Sequence, residues 1–143
     1  MAPFRTLNIK EVAKNNKGSA YVELAIILPI LFTLVFGILE VGLITAADNS
    51  LVSVVDYGIR AMAVNGGADE EIMAKIEDQM IVRGLDPSKA KITASRFPIQ
   101  LYDDIYLAIE YPYSLKIFGS EEILTYQVKL KADSYAISEK YFR

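Results

Sequence analysis

The sequence predicts an α+β fold, a long and partly transmembrane N-terminal helix packed on a small antiparallel sheet. Three observations carry that prediction. An apolar run lies near the amino terminus of the 143-residue chain, a helical stripe of apolar residues continues it, and the last third alternates between apolar and polar residues.

Arg5, Lys10, Lys14 and Lys17 stand against the single acid Glu11 in the first eighteen residues. Positive flanks of this kind stay on the cytoplasmic side, so the chain is expected to sit N-in, C-out as a single pass. From Leu24 to Leu39 no residue is charged, about 24 Å of helix, and with its flanks to Ala47 the segment exceeds the ~20 residues a span needs. Glu23 sits at one edge of the run and Glu40 at the other. A carboxylate at the edge of such a segment is costly unless something pairs with it. A cleaved secretory signal fits poorly, because the apolar region is long and Ile44-Thr45-Ala46-Ala47 is a weak cut site. A plain anchor fits in length but has no use for Glu23. Pro29 removes one helical hydrogen bond, which predicts a kink or local loosening.

Beyond the span the helix continues to about Val64. Ile44, Ala47, Leu51, Val55, Gly58 and Met62 keep to one stripe, while Asn49, Ser53, Asp56 and Arg60 take the other side, with Asp56 and Arg60 spaced as an i,i+4 pair. Asn65-Gly66-Gly67 stops it. A second helix begins at an Asp69 cap, places Glu70 and Glu71 in its positive first turn, and runs to Arg83 with Ile72, Ile76 and Met80 on one side. Gly84 and Pro87 close it. Alternation then predicts strands at Ile92 and Ala94, from Ile105 to Tyr111, and from Leu124 to Ala132 with Tyr126 among the buried positions. Gly119-Ser120-Glu121 reads as a loop between strands, and 134–143 as a fourth short strand or a loose tail. Tyr106, Tyr111 and Tyr113 gather around Pro112, a group that either edges the core or serves contact.

Composition excludes several classes. The chain has neither cysteine nor histidine, so the usual transition-metal ligands and histidine-based acid–base catalysis are missing. No catalytic residues, cofactor site or metal site are expected, and the protein reads as a non-enzyme. Net charge is −3, and loss of the first eighteen residues would make the side-chain total −6, a poor match to nucleic acid.

Gly18-Ser19-Ala20-Tyr21-Val22-Glu23-Leu24-Ala25 leads into Ile26-Ile27-Leu28-Pro29 and later Gly37-Ile38-Leu39-Glu40-Val41-Gly42. With the basic leader before it, this pattern resembles the type IV pilin-like class, and within it the TadE-like pseudopilins of tight-adherence (Flp/Tad) pili, over residues 17–64. About a hundred residues follow the apolar run and Leu24 follows Glu23, which argues for a minor pilin over the main filament subunit. The resemblance implies a pilin-like fold and a 1–18 basic leader cut between Gly18 and Ser19 by a prepilin peptidase. It implies a 19–47 transmembrane and assembly helix, and a 48–143 extracytoplasmic head that includes the rest of the long helix. It assigns Glu23 to assembly, where the carboxylate meets the new α-amino group of Ser19 of its own or a neighbouring subunit. The implied partners are the peptidase, other pilins of the same pilus, an inner-membrane assembly platform and membrane lipid. The implied location is the bacterial inner membrane, then the pilus or cell surface, serving adhesion and biofilm formation. The alternative is an uncleaved single-pass membrane protein with an extracytoplasmic binding domain.

Overall fold

A computed structural model describes residues 16–116 and 125–140. Residues 1–15 of the expected leader and the Gly119-Ser120-Glu121 loop expected from the sequence lie outside them. Helix α1 spans Asn16–Asn65 and α2 spans Glu70–Val82. A 3-10 turn at Pro87–Lys89 leads to strands β1 (Lys91–Ala94), β2 (Asp104–Lys116) and β3 (Thr125–Ile137). The chain divides into two compact units, Met1–Glu40 and Val41–Arg143.

In the first unit the described residues are all α1, and their apolar side chains point to solvent around the whole helix: Tyr21, Ile26, Ile30, Leu34 and Ile38 are all exposed. None of the most apolar eighteen-residue window is buried, which separates this helix from the core helix of a soluble domain. Pro29 lies inside the helix, and Thr33 Oγ1 donates to the Pro29 carbonyl at 2.8 Å, keeping its hydroxyl satisfied without leaving the helix.

The second unit is the α+β part. Its sheet is an antiparallel meander in the order β1-β2-β3, with Ile109 of β2 opposite Ile92 on one side and Ala132 on the other. The inner face contributes Ile105, Leu107, Ile109, Tyr111, Leu130 and Ala132 to the core; α1 adds Leu51, Val54, Val55, Ile59 and Met62, and α2 adds Ile72, Ile76 and Met80. The predicted stripe on α1 is therefore present and wider than read, because Val54 and Ile59 flank it toward the sheet and α2. Gly58 is where three elements meet: a Cβ there would lie 2.6 Å from Leu107 Cδ2 and 3.1 Å from Ile76 Cδ1.

Four details differ from the sequence reading. The tail begins as strand, since β3 runs on to Ile137 and pairs Tyr135 with Tyr106 and Ile137 with Asp104. Ala108 is buried on the face expected to be wet, a small side chain on the central strand of the sheet. Tyr126 is 66% exposed although its position has core-facing parity, because it pairs with Leu115, beyond Glu110 where β1 stops. Asp56 and Arg60 form no ion pair; both are exposed, where water competes and such pairs gain little.

Candidate functional site: the amino-terminal helix and the end that anchors it

Gly18, Ser19 and Glu23 lie in the first turns of α1, all exposed, with nothing within 4 Å of a Cβ built on Gly18. Ser19 and Glu23 are four residues apart and so share one face of the helix. Gly18 sits in the first turn of α1, where amide groups lack intrahelical acceptors and fraying is easiest. Glu40 is half-buried at the other end of the unit, and Pro29 stands between.

At its carboxyl end α1 is tied down by a polar knot that single-residue reasoning missed. Gly66 N and Gly67 N both donate to Met62 O, at 2.8 and 2.9 Å, closing the helix. Gly67 has φ +120°, and a Cβ there would come within 2.8 Å of the Phe97 backbone nitrogen. That close approach lets the β1–β2 connection pair with the turn: Ala68 N donates to Ser95 O at 2.9 Å, Phe97 N to Ala68 O at 3.0 Å and Ile99 N to Gly66 O at 2.8 Å. With its carbonyl thus engaged, Ser95 uses its side-chain oxygen to accept from Tyr106 N at 3.1 Å.

Asn65 binds several segments at once. Its Nδ2 donates to Asp69 Oδ2 at 2.8 Å and to Gly67 O at 3.3 Å, and its Oδ1 accepts from Lys140 Nζ at 3.3 Å. Asp69 in turn accepts from Ile72 N at 2.8 Å as the cap of α2, as the sequence predicts. The Ile72 amide, and after it the Asn65 side chain, hold the Asp69 carboxyl below its usual range. Glu71 at 2.6 Å raises the Lys75 ammonium. After β3, Ser138 is 1% exposed and Glu139 N donates to Ala63 O at 2.9 Å, supplying a partner for one of the last carbonyls of α1. The signal for this knot was the polar residue at the helix stop, Asn65, whose partners Gly67 and Asp69 are local, whereas Lys140 comes from 75 residues away.

The predicted tyrosine group is split. Tyr111 is buried in the core and its hydroxyl accepts from Asp86 N at 3.3 Å, whereas Tyr106 faces the other way and packs against Tyr135, ring centroids 4.8 Å apart. Among the described residues no group of three or more acids is placed to hold a metal ion.

The chain joins an exposed apolar helix, by length and composition able to cross a bilayer, to a small α+β unit, the make-up expected of the helix-anchored class. The model of the family described as TadE-like protein matches residues 18–60, so this segment of the chain is similar to that family. The match starts at Gly18, takes in Glu23, Pro29 and Glu40, and ends on the core-facing half of α1. Comparison with curated proteins and with solved structures gives no match.

Proposed function

We propose that the protein is a minor pilin, or pseudopilin, that enters a tight-adherence pilus after cleavage between Gly18 and Ser19 and serves surface attachment. The observation that carries this reading is the TadE-like match over residues 18–60 on a helix whose apolar side chains, through its first half, are uncovered on every side. Such a surface requires lipid first and other helices afterwards. In this reading residues 1–18 are the leader, 19–47 the assembly helix and 48–143 the head, held N-in, C-out in the bacterial inner membrane.

Cleavage supplies the chemistry that Glu23 lacks. Hydrolysis of the Gly18–Ser19 peptide bond frees the Ser19 α-amino group, a cation near neutral pH with an ordinary pKa of about 7.7 to 8.0. A carboxylate entering an apolar bundle is costly unless it meets such a charge, so the amine of the same or a neighbouring subunit fixes the depth at which helices dock. Pro29 leaves a carbonyl without its helical donor and gives the helix a place to loosen when it leaves lipid for the filament. The protein acts by packing rather than catalysis. Its partners are the prepilin peptidase, other pilins, the inner-membrane assembly platform and lipid, with no role for nucleic acid.

The test is the intact mass and amino-terminal sequence of the protein recovered from membranes of cells with and without the peptidase. A chain that begins at Ser19 only when the peptidase is present is the expected result. A chain that retains residues 1–18 in both leaves an uncleaved membrane protein with a binding head.

A further inference from the structure

We propose that Asn65-Gly66 is a self-modifying pair, which closes to a succinimide and sheds ammonia when the second unit opens and which the polar knot keeps unreacted while that unit is folded. The dipeptide occurs once in the chain. Its glycine is demanded by the helix stop, since Gly66 has φ 82°, a left-handed conformation that residues with a Cβ rarely adopt. The same missing side chain leaves the Gly66 nitrogen unhindered toward the Asn65 carboxamide, with which it can close a five-membered ring. The residue that ends α1 is thus also the neighbour that makes Asn65 reactive.

In the folded chain both reacting groups are engaged. Gly66 N donates to Met62 O at 2.8 Å, and Gly66 and Gly67 are buried. The Asn65 carboxamide is held by Asp69 Oδ2 at 2.8 Å and by Gly67 O and Lys140 Nζ, each at 3.3 Å. Ring closure turns Cγ onto the Gly66 nitrogen and strips the proton from that amide. It requires these bonds to open first, and its rate follows the open population. The Gly66 nitrogen, its proton taken by hydroxide, bonds to Cγ; the Cγ–Nδ2 bond breaks and Nδ2 leaves as ammonia. Water then opens the imide at either carbonyl, giving an aspartate at position 65 or its isomer with the main chain routed through Cβ and Cγ, and nothing is oxidised or reduced. Either product loses the donor that joins α1 to the cap of α2. The aspartate puts a carboxylate against Asp69 where Nδ2 stood 2.8 Å away, and the isomer lengthens the main chain at the turn. A reacted chain therefore does not rebuild the knot, and the opening becomes irreversible. None of this depends on cleavage at Gly18 or on entry into a pilus.

The full-length chain in detergent micelles at mildly alkaline pH is aged folded and in urea. The peptide holding residue 65 is followed by the mass gain of an amide turned into an acid and by its isoaspartate content. Loss of the Asn65 amide is expected to be at least about tenfold slower in the folded chain than in urea. Lys140→Ala, which removes one bond to the carboxamide, is expected to raise the folded-chain rate about threefold and to leave the urea rate unchanged. Returned from urea, unreacted chains regain the native thermal midpoint and reacted chains melt lower, as does Asn65→Asp made directly. Equal rates folded and in urea overturn the proposal even where a variant fails to fold, and so does a folded-chain rate indifferent to Lys140→Ala. A native midpoint for reacted chains or for Asn65→Asp overturns the irreversible step. The amino-terminal mass judges cleavage at Gly18 separately.

Discussion

Gly67 carries two demands at once, a positive φ and a backbone neighbour too close for a side chain. Gly67→Ala is therefore expected to cost about 1–3 kcal/mol, read as a lower thermal midpoint with the helices still formed. Asp69 gives the α2 cap a pH dependence. Its folded-state pKa lies below the ordinary 3.8, so the stability it contributes is fully present above that value and is lost as pH falls through the folded-state pKa. Asp86, lowered by its bonds to Ser88, adds in the same direction. Thermal melts between pH 5 and pH 2.5, both points on the order of one unit from the carboxylate range, are expected to show a steeper loss for the native chain than for Asp69→Asn. That variant still accepts from Ile72 N but does not titrate. The Asp69 cap was legible in the sequence because it is local. The Asn65–Lys140 contact was not, since Lys140 lies 75 residues away and only the fold brings it near.

Among the elements, α1 and α2 were readable from period and stop signals, and their ends fall within a few residues of expectation. The strands were readable in existence but not in length. Alternation past Pro112 and past Asp133 is interrupted by residues that ordinarily end strands, yet β2 and β3 pair in one unbroken register from Asp104↔Ile137 to Lys116↔Thr125. Pairing overrides local propensity here, as long-range contacts do in sheets. The segment after β3 is as much a part of the fold as the strand. Glu139→Pro removes the N–H that reaches Ala63 O and is expected to cost about 1–3 kcal/mol. Denaturant unfolding checks it, with Glu139→Ala, which keeps that amide, close to native.

For the whole molecule, the amino-terminal helix leaves its apolar side chains uncovered while the second unit is packed around its own core. On the proposed anchoring in a membrane, thermal and pH effects in the second unit are therefore expected to leave insertion untouched. On the proposed cleavage between Gly18 and Ser19 and entry into a pilus, Glu23→Gln is expected to keep the amino terminus at Ser19 and to lower the amount recovered in sheared pili by at least about tenfold, since the Ser19 amine would lose its countercharge in the bundle. Quantitative blots of pilus and membrane fractions decide it. Pro112 has a wider consequence. Tyr106 N donates to Ser95 Oγ, so even-numbered residues of β2 turn their amides toward β1, and Pro112 is the next such residue after Glu110, where β1 ends. The bare stretch of ribbon thus offers no donor at the position where a stray strand would first seek one. For a pilus subunit of the kind proposed, crowded with its copies before assembly, this one imino acid would be a safeguard against fibrous misassembly along that edge.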